Sequence, residues 1–351
     1  MSVLRSESAV LFATGCAVGA AVIFLWNRVK KESLDDKTRG NTNLASSDVV
    51  NMPVGANTTY IISTSGRPSS MRRYRHLLRD VLKLDVAYIP INTGGGKTET
   101  KGQTKISAVD FCDAIRGLRA IGGAISKDIK GAILHELDKV DDIAREIGAV
   151  NTVVRENNAL VGYNTDAEGF RVAIEQGIRS YSAQNALGVL NTARREGMHV
   201  KSAVCYGYGG VTSVVAAVLK SMGIEVFITG RRPDAAQTRA EELGVEVFDS
   251  KRHSPDLFVN AAPVTDMPLA TIPNFLPALE KCRLAFDHEL VGKELVKYCT
   301  EKGIFHIPGK TMYWPQMVAQ WKLFLKAHVS DEDLNEMQSR LEAADQMAKD
   351  K

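Results

Sequence analysis

Residues 202–229 read SAVCYGYGGVTSVVAAVLKSMGIEVFIT. Ser202 to Tyr206 is a short β-prone run, and Gly207-Tyr208-Gly209-Gly210 follows at once. Val211 to Met222 has helical spacing, and Glu225 to Thr229 is a second strand. Strand, glycine turn, helix and strand make a βαβ unit. At such a turn the glycines let the backbone approach a pyrophosphate, and the helix N-terminus supplies amides and a positive dipole end. Gly207, Gly209, Gly210 and Val211 are therefore candidate cofactor-binding residues. Thr212 stands where the fingerprint has its third glycine, so a glycine turn without a ligand is the competing reading. After the second strand, an NAD site usually carries an acid for the ribose 2′-hydroxyl. This chain has Gly230-Arg231-Arg232 instead. Guanidinium forks match a phosphate in planar fashion, so the expected cofactor is NADP.

Working outward, Val245–Phe248, Leu257–Asn260, Leu284–Phe286 and Phe305–Ile307 complete a six-strand doubly wound sheet. Upstream, strands and helices again alternate, which reads as α/β. The expected elements are a strand at Thr59–Ser63, a helix over Ser69–Leu84, a strand at Val86–Ile91, a helix at Val109–Ile121, a strand around Ala124–Ser126 and a helix at Leu134–Ile147. Val150–Arg155 and Leu160–Tyr163 then pair as a hairpin about Glu156-Asn157-Asn158. The expected fold is a Rossmann NADP-binding domain, residues 186–308, with a smaller α/β substrate domain, residues 59–185. Residues 309–351 are expected to form helices that pack back on the substrate domain. Their last helix opens with the capping box Ser330-Asp331-Glu332-Asp333 and carries Leu334, Met337 and Leu341 at helical spacing. The GGGKT in residues 93–105 is a solvated loop, because Ile91 stands where a P-loop needs glycine and the sequence after Lys97 is polar.

The chain has 351 residues, enough for two domains. Its net charge of +3 gives no electrostatic footprint for nucleic acid, and 44% apolar residues exclude disorder throughout. Five cysteines without a CxxC pair favour a reducing compartment, and seven scattered histidines give a metal site no support. Residues 8–26, SAVLFATGCAVGAAVIFLW, hold no charge. As a helix they span roughly 28 Å, close to the hydrocarbon thickness. Arg28, Lys30 and Lys31 follow, which places the C-terminal flank in the cytosol, and bulky Phe24-Leu25-Trp26 makes a poor signal-peptidase site. Residues 1–31 are thus expected to be a transmembrane anchor in the outer mitochondrial or endoplasmic-reticulum membrane, and residues 32–58 a polar linker.

Gly148-Ala149-Val150-Asn151-Thr152 and Gly162-Tyr163-Asn164-Thr165-Asp166 lie one hairpin apart. The pair resembles the GAVNT…GxNTDG signature of the shikimate dehydrogenases. The resemblance covers roughly residues 60–345. Gly122 to Lys130 is similar to the family's GxNVTxPxK, so Lys130 falls on its catalytic lysine and Ser126 on its threonine. GYGGV matches GAGGA, Gly230-Arg231-Arg232 matches the NADP-binding Asn-Arg-Thr, and Gly309 through Gln316 matches G-x-x-M-x-x-x-Q. The resemblance implies substrate contacts at Ser63, Ser65, Ser126, Asn151, Asp166 and Gln316, and adds Gly309 to the cofactor set. The serine motif, Ser63-Thr64-Ser65-Gly66-Arg67-Pro68-Ser69, carries extra residues and resembles the shikimate 5-dehydrogenase-like branch. Ala124 and Asp128 replace an asparagine and a proline. Asp287-His288-Glu289-Leu290 lacks the tyrosine of D-x-x-Y-x-P.

The chemistry of the retained residues stands by itself. Hydride reduction of a ketone leaves an alkoxide that needs a proton. Lys130 can supply it, and Asp166 can hold the ammonium and orient the reacting oxygen. Each alone is more often a surface ion pair. Asn151 can donate to a substrate hydroxyl or cap its own hairpin. Two function classes follow. One is an NADP-dependent oxidoreductase of a cyclic polyhydroxy acid such as shikimate or quinate. The other is a membrane-tethered NADP(H)- or ligand-binding sensor with little turnover.

Overall fold

The alternation of β-prone runs and helices builds two six-stranded sheets in the computed structural model, which describes residues 57–64, 73–91, 106–126, 129–188, 199–264, 267–289 and 293–349. Thr59–Lys351 forms one compact unit. The first sheet holds β1 (Thr59–Ser63), β2 (Val86–Pro90), β3 (Gly122–Ala124), β4 (Lys139–Val140), β5 (Thr152–Glu156) and β6 (Ala159–Tyr163), in the order β2-β1-β3-β5-β6-β4. β1 runs parallel to both β2 and β3, while β5 is antiparallel to β3 and to β6. Asn157 and Asn158 turn the β5–β6 hairpin with φ of 47° and 70°. Two successive left-handed residues match the strand twist, and asparagine tolerates that region.

The second sheet is wholly parallel: β7 (Ser202–Tyr206), β8 (Glu225–Thr229), β9 (Glu246–Val247), β10 (Leu257–Asn260), β11 (Leu284–Asp287) and β12 (Phe305–Pro308) lie in the order β12-β11-β10-β7-β8-β9. This is the doubly wound order, and the switch point falls between β7 and β10. Central strands covered on both faces need apolar side chains throughout, and Ala203, Val204, Cys205, Leu257, Phe258 and Val259 are all fully buried.

The helices are α1 (Ala108–Gly117), α2 (Asp142–Ile147), α3 (Thr165–Gly188), α4 (Gly210–Ser221), α5 (Pro233–Leu243), α6 (Phe275–Leu279), α7 (Lys293–Lys302), α8 (Tyr313–Leu325) and α9 (Asp331–Lys349). Helix α3 joins the two sheets. Its Phe170 ring meets Phe286 of β11 edge-on at 5.1 Å, and Gly177 lies so close to Ile307 of β12 that a Cβ would stand 2.3 Å from the Ile307 side chain. On its other side, Gly169 lets α8 approach: a Cβ there would meet Gln316 at 2.6 Å and the Met312 carbonyl at 2.8 Å. Met317, Trp321 and Leu325 of α8 and Leu334, Met337 and Leu341 of α9 share a core with Ile61, Leu77 and Leu78 of the first sheet's layer. The Ser330 hydroxyl accepts from the Asp333 amide at 3.1 Å and donates to its carboxylate at 2.7 Å, which caps α9.

Four expected elements differ, the first being the helix expected over Val109–Ile121, which ends at Gly117. The strand expected near Ala124–Ser126 is Gly122–Ala124. The helix expected over Leu134–Ile147 is broken into a tight turn at Ala132–Glu136, strand β4 and α2. The Asp138 carboxylate accepts from the Leu160 amide at 2.7 Å and Asp141 caps α2 through Ile143, so these acids divert the backbone to the sheet edge. Of the helix expected over Ser69–Leu84, His76–Val81 is helical within the described residues. The uncharged run Ser8–Trp26, the GGGKT loop and Ser65 lie outside the described residues. No helix among the described residues is long and apolar enough to cross a membrane.

Candidate active site

The two GAVNT and NTD segments are knitted into one support. Helix α2 stops at Gly148, whose φ of 72° needs glycine, and the chain turns into β5. Asn164 then caps α3: its Oδ1 accepts from the Asp166 amide at 3.1 Å, and its Nδ2 donates to the Ala149 carbonyl at 2.9 Å. Asn151 is buried. Its Oδ1 accepts from the Thr165 amide at 2.9 Å and the Thr152 hydroxyl at 2.8 Å, and its Nδ2 donates to the Thr165 hydroxyl at 3.1 Å. Gln316 of α8 donates to the same Thr165 hydroxyl at 3.4 Å, and Gln320, one turn on, donates to the Thr152 hydroxyl at 2.9 Å. Asn151, expected to reach substrate, thus spends most of its bonding capacity on holding α3 against β5.

This support presents a lysine and a carboxylate. The Val150 amide donates to the Lys130 carbonyl at 2.8 Å and fixes the backbone behind the side chain. Lys130 Nζ then donates to Asp166 Oδ2 at 2.6 Å, with both side chains 27% exposed. The pair is partly exposed and sits on this tightly bonded scaffold, within reach of a ligand. At the ends of β1 and β3, the Ser126 amide donates to the Thr64 hydroxyl at 2.6 Å, and the two hydroxyls lie 2.9 Å apart. Ser63 is buried, with its hydroxyl bonded to Tyr88.

The glycine turn on the other sheet is different in kind. Gly207 has a φ of 132° and lies against the Ala261 backbone. Gly209 and Gly210 face open space: an added Cβ on either would meet nothing within 4 Å. No side chain caps the N-terminus of α4. A dinucleotide pyrophosphate fits such a place, because free amides and room for its oxygens coincide. Arg231 and Arg232 are exposed beside it. Arg232 Nε donates to the Tyr208 hydroxyl at 3.3 Å with its guanidinium 5.2 Å from the ring centroid. That contact tethers the Arg232 guanidinium next to the turn.

The two halves meet. Asp166 and Phe170 of α3, Val211, Val214 and Val215 of α4, His288 after β11, and Met312 line one small cleft. Asp287 is buried, accepts from Asn260 Nδ2 at 2.9 Å and from the Glu289 amide at 3.1 Å, and burial raises its carboxyl above the ordinary range against those bonds. Burial holds the His288 imidazole below the ordinary histidine range; Asp166 and Asp287 act against that fall, and Lys130 adds to it. Gly309, expected at the cofactor, lies against the Asp287 and His288 backbone, where a Cβ would stand 2.2 Å from the Asp287 carbonyl. Its visible role is to let β12 close on β11.

The structure therefore brings Lys130, Asp166 and Val211 to one cleft region. It seats Asn151 and Gln316 immediately behind it, and Arg231 and Arg232 beside the glycine turn. Thr64, Gln320 and His288 were not among the expected site residues. Gln320 left a trace, as the second of two glutamines at i and i+4 on α8, and His288 lies in the stretch flagged for its missing tyrosine.

No protein-family model matches the chain. It is 29% identical over 227 residues to the bifunctional 3-dehydroquinate dehydratase/shikimate dehydrogenase of Arabidopsis thaliana, covering 62% of this chain and 37% of that one. It is 27% identical over 293 residues to a shikimate dehydrogenase-like protein of Haemophilus influenzae, covering 80% of this chain and 95% of that one. A solved shikimate 5-dehydrogenase-like protein superimposes with a TM-score of 0.58 at 25% identity, over 82% of this chain and 99% of the other. The chain spans about two fifths of the first curated relatives, with 41% of the NADP(+)-dependent shikimate dehydrogenase of Bacillus cereus as one example.

Proposed function

The chain belongs to the shikimate dehydrogenase family, and from that premise we propose that it is an NADP-dependent oxidoreductase acting on a cyclic polyhydroxy acid, shikimate or quinate or a close relative. The observation that carries the proposal is the shared cleft. Asp166, bonded to Lys130 at 2.6 Å, and Val211, the residue after the glycine turn, line the same opening.

When bound, NADP(H) supplies or accepts the hydride. The chain's own residues do the rest. The amides at the start of α4 take the pyrophosphate, and Arg231 and Arg232 take the 2′-phosphate. In the reducing direction, as hydride reaches the ketone carbon, Lys130 Nζ gives its proton to the carbonyl oxygen, and the resulting amine regains one from solvent. In the oxidising direction the neutral amine removes the hydroxyl proton as hydride leaves. Asp166 holds Nζ in place and accepts from a neighbouring substrate hydroxyl. Ser126 and Thr64, paired at the strand ends, offer hydroxyls to the far side of the ring or its carboxylate.

Ser8–Trp26 supports a further reading: a single membrane anchor with residues 59–351 on the cytosolic side, in the outer mitochondrial or endoplasmic-reticulum membrane. Its basis is the absence of charge over those residues and the basic flank after them. Alkaline carbonate extraction should leave the full-length chain in the membrane pellet, and release of unprocessed chain would contradict it.

The catalytic proposal is tested by following nicotinamide absorbance with the purified full-length chain, shikimate or quinate, and each of NADP(+) and NAD(+). Turnover with a preference for NADP(+) is expected. Tight NADP(H) binding without turnover on a broad panel of cyclic hydroxy acids would leave the sensor role as the better account.

A further inference from the structure

The glycine turn holds one large side chain. Tyr208 stands between Gly207 and Gly209, where the GAGGA signature that the turn resembles has alanine. Its place is set from both sides. The Gly207 amide donates to the Thr229 carbonyl at 2.9 Å, which ties the turn to the end of β8. The residue after β8, Gly230, is buried, and a Cβ there would stand 2.8 Å from the Tyr208 ring, so glycine is what lets the ring lie against the backbone. The Gly230 carbonyl accepts from Asn274 Nδ2 at 3.0 Å, which holds the strand end from the opposite side. The half-buried phenol then reaches the exposed Arg232 with its hydroxyl.

Two contacts hold that arginine. Nε donates to the Tyr208 hydroxyl at 3.3 Å, and the guanidinium carbon lies 5.2 Å from the ring centroid. Of the guanidinium N–H groups, this bond uses the one on Nε. Those on Nη1 and Nη2 remain for an anion, which they can meet end-on with parallel bonds.

We propose that Tyr208 is a positioning residue that sets the cofactor preference: its hydroxyl and ring hold Arg232 with the Nη groups presented to the 2′-phosphate of NADP(H). An arginine free in solvent loses side-chain freedom when it grips a phosphate, and one already held loses less. The expected gain is about 2- to 10-fold in affinity for ligands that carry the 2′-phosphate, and none for those that lack it. An alanine in the turn offers neither contact. The inference rests on the NADP reading above and needs no known substrate.

The test is a binding titration of the full-length chain with two pairs of probes. NADPH and NADH are followed by nicotinamide fluorescence, and 2′,5′-ADP and 5′-AMP by calorimetry. The readout is the ratio of affinities within each pair, so a general loosening of the turn cancels. Tyr208→Phe keeps the ring against Gly230 and removes the hydroxyl; it should lower both ratios about twofold or more. Tyr208→Ala, which removes the ring as well, should lower them by up to about tenfold. With Arg232→Ala in place, Tyr208→Phe should change neither ratio, because the tyrosine acts through the arginine. Ratios unchanged in Tyr208→Phe overturn the proposal, and so do ratios that fall equally with and without Arg232. Ratios that rise overturn it too, since the tyrosine would then hold Arg232 away from the phosphate. A wild type that prefers neither member of a pair removes the NADP reading and the proposal with it. The predicted order in a chain that turns over no substrate upholds the proposal and leaves the oxidoreductase reading to fall alone.

Discussion

The two walls of the cleft are built on opposite principles. On the first sheet's side, Asn151, Asn164, Thr165, Thr152, Gln316 and Gln320 bond to one another before any ligand arrives, and Lys130 and Asp166 ride on that lattice. On the second sheet's side, Gly209 and Gly210 leave open space where a side chain would stand, no side chain caps the α4 N-terminus, and Arg231 and Arg232 stand in solvent. A site that must orient a reacting oxygen to within a fraction of an ångström has its groups locked in advance. A site that must grip phosphates needs room, positive charge and unspent N–H groups, and too many internal bonds would consume them. Substitutions on the first wall should therefore injure chemistry or folding, and those on the second should injure cofactor affinity and little else.

The largest expected departure is at the lysine. Lys130→Ala should lower kcat by roughly 10²–10⁴-fold with a smaller change in KM, because Ser126 and Asp166 remain. Lys130→Arg should not restore it, since arginine does not release a proton near neutral pH. Wild-type kcat in Lys130→Ala would erase the functional meaning of the pair. Next is Arg232→Ala, expected to weaken NADP(H) by about 10- to 100-fold in a fluorescence titration, with NAD(H) barely changed. Equal losses for both cofactors would mean that the arginine shapes the loop around Tyr208 rather than reading a phosphate.

Two glycines set the walls against each other directly. Gly169→Ala would drive a methyl into Gln316 and the Met312 carbonyl, so denaturant unfolding should show a loss of about 1–3 kcal/mol. Gly209→Ala meets nothing, and its φ of −87° suits any residue, so stability should hold while NADP(H) affinity falls. Equal stability losses in the two variants would break the contrast.

How much of this was legible beforehand follows from range. The limits of β7, β8 and β10 match the sequence reading, because a parallel strand covered on both faces is a continuous apolar run ending at a turn residue. The hairpin is legible for a similar reason, since Asn157-Asn158 announces its turn. Helix α3 is not. It packs Phe170 against one sheet and Gly169 against α8, so no single apolar stripe marks it. Lys130 and Asp166 were found only through the resemblance of their flanking motifs, and their 2.6 Å bond joins residues 36 apart. His288 lies in the stretch flagged for its missing tyrosine, but its place in the cleft lining arises where β11 ends, which only the folded chain reveals.

The smallest effect is expected from pH. Burial lowers the pKa of His288 and of His306 on the second sheet. Below about pH 6.5 the unfolded chain takes up protons that the folded one resists, so stability should decline from there toward the two lowered values. Asp287, raised by burial, acts in the opposite sense at lower pH, between its raised value and the ordinary carboxylate range. Urea unfolding at about pH 7.5 and 6 should show the decline, and His306→Gln should reduce it. A flat profile would mean that neither histidine resists its proton.

On the proposed function, hydride crosses from the open wall to the locked wall of one cleft. The direct measurement is isotope transfer: NADPH deuterated at the nicotinamide C4 is incubated with the ketone form of the acid, 3-dehydroshikimate or 3-dehydroquinate, and the product is read by NMR. Deuterium bound to the new carbinol carbon, at a rate that collapses in Lys130→Ala, is the predicted result. NADPH that binds to the chain yet leaves every such ketone free of deuterium would contradict it.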